Sequence, residues 1–104
     1  MDVRGLGLKL GETPFDNMSE IIISENGFSC GTGDSFVNQR IDMIVDIVDM
    51  EAYAIAKVCK LENIKFKCFK YISDNADENA NIDWNKNLAL GVKAFSKLIK
   101  DSSF

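Results

Sequence analysis

Between residues 51 and 100 the spacing of apolar residues changes period twice, and this constrains the fold more than any other feature of the chain. From Glu51, the residues Ala52, Tyr53, Ala54, Ile55, Ala56, Val58 and Cys59 form a helical run, with Ile55, Val58, Cys59 and Glu62 at helical spacing. The spacing predicts a helix near 50–62 with Asn63 as its stop. Ile64 to Ile72 then alternates, Phe66, Cys68 and Lys70 against Lys65, Lys67 and Phe69, and reads as the best strand in the chain. Ser73 to Asp83 is polar and acidic and reads as a loop. Trp84, Leu88, Val92, Phe95 and Ile99 follow at spacings of three and four, one face of a second helix near 84–100. Strand, helix, strand, loop and helix in succession predict an α/β fold with a parallel or mixed sheet.

Upstream the signals are shorter. Gly5 to Leu10 alternates leucine with small or polar residues, a weak strand, and Pro14 marks a turn within Gly11 to Phe15. Ile21-Ile22-Ile23 is β-branched. Phe28-Ser29-Cys30 reads as a strand running into a glycine turn at Gly31-Thr32-Gly33-Asp34, and Ile44 to Val48 is a further strand. There is no repeat or linker, and 104 residues make one domain, 1–104. Ile55, Val58, Phe66, Cys68, Leu88, Val92 and Phe95 are the expected buried residues. A parallel sheet is covered on both faces, and two helices are few for that. The expectation is a part of a larger unit, or a chain whose sheet a partner covers.

Composition removes several kinds of chemistry. The chain contains no histidine, which excludes Ser-His-Asp triads, Cys-His dyads and His-bearing metal sites. Cys30, Cys59 and Cys68 include no C-x-x-C pair and form neither a disulfide framework nor a zinc motif. Carboxylates, hydroxyls, thiols and backbone are left to do any work, and no cofactor is implied. Five lysines and one glutamate in residues 57–70 contrast with three bases and ten acids in 1–56. Lys65 and Lys67 interleave with apolar residues as the solvent side of a strand does, so the cluster is read as a solvated face and not as a nucleic-acid site. No apolar run approaches the ~20 residues of a membrane span, and Met1 to Gly5 leads into no apolar signal segment. The expected location is cytoplasmic.

Three constellations could carry chemistry. Gly31-Thr32-Gly33-Asp34-Ser35-Phe36-Val37 follows a strand, where glycines let backbone approach a ligand or simply make a tight turn. Asp49-Met50-Glu51-Ala52 is a strand-to-helix junction. Asp49 there can cap the helix and Glu51 favour its positive end, or Glu51 can accept hydrogen bonds from two vicinal hydroxyls. Ser73-Asp74-Asn75-Ala76-Asp77-Glu78 follows the best strand and reads either as an Asx-turn or as part of a site, since ligands of α/β proteins favour the carboxyl ends of strands.

Together these three segments resemble the C-terminal half of the purine nucleoside phosphorylase/uridine phosphorylase superfamily, and most closely its 5′-methylthioadenosine/S-adenosylhomocysteine nucleosidases. The Met50-Glu51 pair leading into Ala54 to Cys59, and the Ser73-Asp74 pair 23 residues after Glu51, carry the likeness with the Gly31 to Val37 segment. Met1 to Pro14 also looks like the family's central strand and loop. The resemblance implies an incomplete three-layer α/β/α sandwich with a mixed sheet, acting in nucleoside catabolism and methionine salvage. By position, Asp74 matches the residue that protonates or hydrogen-bonds purine N7, with Ser73 beside it. Glu51 matches the holder of the ribose hydroxyls, and Met50 packs on the sugar. Phe36 matches the aromatic that stacks on the base, Val37 contributes a backbone contact to the adenine edge, and Trp84 falls near the base and 5′ substituent.

Residue chemistry agrees with that implication. Cleaving an N-glycosidic bond develops positive charge on the ribose and negative charge on the base, which an acid at N7 and a carboxylate at the ribose each relieve. The resemblance also implies differences. The family's N-terminal half supplies the water-activating glutamate of the nucleosidases and the phosphate-binding residues of the phosphorylases. The stretch from Phe36 to Met50 is short for the bacterial nucleosidases. The 104 residues alone are therefore expected to be weakly active or inactive, and to self-associate as a homo-oligomer or require a complementary N-terminal half. A nucleoside phosphorylase and a non-catalytic remnant or assembly subunit are the alternative readings.

Overall fold

The computed structural model describes residues 20–33, 35–38 and 44–102, with Gly7 and Met18. The weak strand expected at Gly5 to Leu10, the Pro14 turn and Asp34 lie outside the described residues, save Gly7. Among the described residues four elements follow in order: β1 (Cys30–Thr32), β2 (Ile47–Asp49), α1 (Ala52–Leu61) and α2 (Ala80–Asp101). The chain divides into two compact units, Met1–Phe36 with Asp42–Cys68, and Val37–Ile41 with Phe69–Phe104.

In the first unit β1 and β2 pair in parallel, Cys30 with Ile47, Gly31 with Val48 and Thr32 with Asp49. The ladder is extended at one end by Gly33 N–H donating to the Asp49 carbonyl at 3.0 Å, and at the other by Asp46 and Ile47 N–H donating to Ser29 O at 3.1 Å. Ser29 and Asp46 also bind through their side chains. Ser29 N–H and Oγ each donate to Asp46 Oδ2 at 2.8 Å. The Ser29 backbone N–H, and after it the hydroxyl, hold the Asp46 carboxyl below the ordinary aspartate range, with partial desolvation acting the other way.

Helix α1 packs on β1. Its buried residues are Tyr53 and Ala56, three apart and so on one face, while Gly31 and Thr32 are buried on the strand. The face expected to be buried is a different one: Ile55 is 52% and Val58 59% exposed. The Tyr53 hydroxyl donates to the Met18 carbonyl, and its backbone N–H donates to Thr32 Oγ1 at 3.0 Å. Polar anchors on Tyr53 therefore set which face meets the strand, and periodicity alone does not report them. At the other end Asn63 has the left-handed φ of 55°, Asn63 N–H donates to Lys60 O and Ile64 N–H to Cys59 O. This is a Schellman closure with asparagine in the position that usually takes glycine, and it bears out Asn63 as the stop.

In the second unit α2 begins at Ala80, four residues before the apolar face, so the expected loop is shorter than Ser73 to Asp83. Its buried residues are Ala80 and Gly91, whereas Leu88, Val92 and Phe95 are exposed. A Cβ on Gly91 would sit 3.1 Å from Tyr71 Cδ1, so the Tyr71 ring lies directly on the helix backbone. One turn earlier Asn87 Nδ2 donates to Ser73 O at 2.8 Å. The two contacts match in length: four helical residues rise about 6 Å and two extended residues about 6.6 Å. The segment 71–73 thus lies along α2.

Residues 64–75 carry neither strand nor helix, which corrects the expected strand at Ile64 to Ile72. Phe66 is half-buried, and Cys68 is exposed rather than buried. Alternation assigns residues to two faces, but a strand also needs a neighbour to bond with, and the two-stranded β1–β2 sheet is parallel and does not include this segment. The β-branched run at Ile21 to Ile23 likewise forms no strand. The α/β class stands, as a small parallel sheet with two helices.

Candidate functional site

Asp49 ends β2 and stands opposite Thr32 in the parallel register. Thr32 Oγ1 donates to Asp49 Oδ1 at 2.6 Å, and Ala52 N–H donates to Asp49 Oδ2 at 2.9 Å. Thr32, only 5% exposed, also accepts from Tyr53 N–H. The first two amides of α1, which have no intrahelical acceptor, are therefore satisfied by one side chain from each strand. Asp49 caps α1, as its position suggests. Met50 and Glu51 fill the turn between Asp49 and the helix, and both are exposed. Glu51 is the N-cap residue by backbone, without a side-chain capping bond. Its carbonyl accepts from Ile55 N–H at 3.2 Å.

The second unit holds the other carboxylate. Asp74 is half-buried. Ser73 Oγ donates to its Oδ2 at 2.6 Å and Ala76 N–H to its Oδ1 at 2.8 Å. The second bond is the Asx-turn that the sequence allows, and Ala76 adopts φ 53° to complete it. Asp77 repeats the pattern, accepting from Asn79 N–H at 2.9 Å, and its carbonyl accepts from Ala80 N–H where α2 begins. Each Asp74 oxygen keeps a lone pair beyond the bond it accepts, so the carboxylate is fixed in place yet able to accept from a ligand.

The expected site residues thus fall into two groups. Phe36, Met50 and Glu51 belong to the first unit; Val37, Ser73, Asp74 and Trp84 belong to the second. The structure brings Ser73 and Asp74 into direct contact, and Met50 and Glu51 are neighbours at the start of α1. Phe36 and Trp84 are exposed aromatic side chains, and Val37 is half-buried. Among the described residues no group of three or more His, Cys, Asp or Glu side chains could hold a metal ion, and no helix is long and apolar enough to cross a membrane.

A family model described as the phosphorylase superfamily matches residues 19–102, a span that contains every one of these positions. The chain belongs to the phosphorylase superfamily. Within the superfamily it is similar to proteins named 5′-methylthioadenosine/S-adenosylhomocysteine nucleosidase. That of Haemophilus influenzae (strain PittEE) is 38% identical over 84 residues, covering 72% of this chain and 36% of the relative. That of Buchnera aphidicola subsp. Schizaphis graminum (strain Sg) is 38% identical over 78 residues, covering 66% and 33%. That of Glaesserella parasuis serovar 5 (strain SH0165) is 29% identical over 125 residues, covering 95% and 54%. The chain spans about a third of the length of the first two and about half of the third. No solved structure matches.

Two residues of this superfamily member carry contacts that no sequence motif marks. Thr32 belongs to a motif that reads as a glycine turn, but Gly31 and Thr32 lie within β1. Its partner Asp49 is 17 positions away, and only the strand register brings them together. Asn87 lies four residues before Gly91, on the same face of α2. A polar residue and a glycine at that spacing are the signal for a segment lying close along the helix.

Proposed function

We propose that the chain carries the base- and ribose-binding part of a nucleosidase that hydrolyses the N-glycosidic bond of 5′-methylthioadenosine/S-adenosylhomocysteine-type nucleosides. The observation that carries this reading is the similarity to relatives of that name at 38% identity. In the reaction the bond from the sugar's anomeric carbon to purine N9 breaks and its electron pair goes to the base. A proton reaches N7, and water adds to the anomeric carbon with loss of its own proton. Asp74 is the acid or hydrogen-bonding group at N7, with Ser73 holding its carboxyl. Glu51 holds the ribose hydroxyls and adds negative charge near the developing cation. Met50 packs on the sugar, Phe36 stacks on the base, Val37 meets the adenine edge through its backbone, and Trp84 lies by the base and 5′ substituent. What supports the acid's assignment is a half-buried carboxyl held in one orientation by Ser73 Oγ and the Ala76 amide, with a site left on each oxygen that can carry the proton passed to N7.

In the same reading, residues 1–104 are one partial domain of a three-layer α/β/α sandwich, and the protein is cytoplasmic. It assembles with a second copy or a complementary chain, which the exposed Ile55, Val58, Leu88 and Val92 support. The second reading, a nucleoside phosphorylase, is favoured by the superfamily match itself. Product analysis with 5′-methylthioadenosine, with and without inorganic phosphate, separates the two. Adenine and free 5-methylthioribose in the absence of phosphate are expected. A sugar 1-phosphate formed only when phosphate is present would make the phosphorylase the correct reading.

A further inference from the structure

We propose that Thr32 is a positioning residue for Glu51, setting the ribose preference of the site through the start of α1. The inference rests on the reading that Glu51 holds the ribose hydroxyls. Glu51 has no capping bond of its own, so its place depends on the residues on either side. Two positions before it, the Asp49 carboxylate is held by Thr32 Oγ1. One and two positions after it, the Ala52 and Tyr53 amides are held by Asp49 and Thr32. Thr32 touches both flanks, donating to one and accepting from the other, and its burial keeps water from replacing it. A valine there keeps the branched shape and puts a second methyl in place of the hydroxyl. It leaves Asp49 Oδ1 without the hydroxyl donor and Tyr53 N–H without its acceptor, and the turn carrying Glu51 is then tied on neither side by residue 32.

The test is equilibrium binding of adenosine and 2′,3′-dideoxyadenosine to the unaltered chain, Thr32→Val, Thr32→Ser and Glu51→Gln. Binding requires no turnover. The unaltered chain should prefer adenosine by about tenfold or more, the worth of hydrogen bonds to a charged group. Thr32→Val should lose most of that preference while its affinity for the dideoxynucleoside stays within about twofold, matching Glu51→Gln. Thr32→Ser, which restores the hydroxyl, should recover it. Faster hydrogen exchange at the Tyr53 amide in Thr32→Val alone would place the change at the helix start. Thr32→Val retaining the preference, or weakening both ligands alike, overturns the positioning role and leaves the Glu51 reading intact. Equal affinity for both nucleosides, or none for either, in the unaltered chain overturns the Glu51 reading and this inference with it.

Discussion

The two helix starts of this chain each have an aspartate close by, and they hold it in opposite ways. At α1, Asp49 is tied by a hydroxyl 17 residues away, and the same hydroxyl takes an amide 21 residues away. Before α2, Asp74 is tied by its neighbour Ser73 and by an amide two residues on. The first carboxylate joins two strands to a helix, and each of its oxygens accepts a bond within that frame. It is Glu51, two residues on, whose carboxylate has no such duty among the described residues. The second carboxylate is held locally, and the work of joining loop to helix passes to Asn87. A carboxylate near a helix start is thus available to a ligand when another residue carries the scaffold, and serves the scaffold when it bridges distant segments itself.

This contrast can be broken most sharply at Asp74. In the assembly that supplies the water-activating residue, Asp74→Asn should lower kcat for adenine release from 5′-methylthioadenosine by about 10²–10⁴-fold, the usual worth of general acid–base assistance, with little change in KM. A similar fall for Asp49→Asn with unchanged stability would erase the distinction between the two aspartates. Asp49→Ala should instead act on folding. It leaves the Thr32 hydroxyl and the Ala52 N–H unsatisfied, a cost of about 1–3 kcal/mol, readable as a lower urea midpoint with unchanged slope. Asp74→Ala should cost less than Asp49→Ala in that measurement, because its bonds are local. Smaller again is Asn87→Leu, expected to cost about 0.5–1.5 kcal/mol and to speed hydrogen exchange at Ala76 while leaving Tyr53 unchanged. The smallest effect is at Ser29. The Asp46 carboxyl titrates lower in the folded chain than in the unfolded one. Its contribution is therefore present above about pH 4, the ordinary aspartate range, and is lost as pH falls below it. Ser29→Ala, which keeps the backbone N–H bond and removes the hydroxyl, should lower stability slightly at neutral pH and so flatten its loss in that window, read as urea midpoints at the two ends of the pH range.

Much of the framework was legible. Helix α1 falls within the predicted 50–62 and α2 covers the predicted 84–100, because apolar spacing and Asn63 are local signals. Helix α2 starts earlier than expected because its first turn lies within Ser73 to Asp83, a stretch that is mostly polar and acidic and so has the composition of a loop. Strands β1 and β2 overlap the expected segments but begin two and three residues later. The expected burial was the least legible part. Ile55 and Leu88 lie on apolar stripes yet are exposed, because spacing says which residues share a face and not what covers it. Of the site, the Met50-Glu51 and Ser73-Asp74 pairs were recognisable as motifs. Thr32 and Asn87 were not, because their partners are set by register and by a segment lying along a helix.

A pair of three-residue strands holds too little apolar pattern to choose its own alignment. Here part of the choice rests on the Ser29–Asp46 bonds at one end, and the rest on a hydroxyl flanked by two glycines, Gly31-Thr32-Gly33, facing Asp49. Slide the strands by one position either way and a glycine faces the carboxylate, with nothing to donate from a side chain. The same slip takes Thr32 away from the Tyr53 amide. Alternative alignments are therefore penalised twice by one contact, and the bareness of the glycines is what makes that contact discriminating.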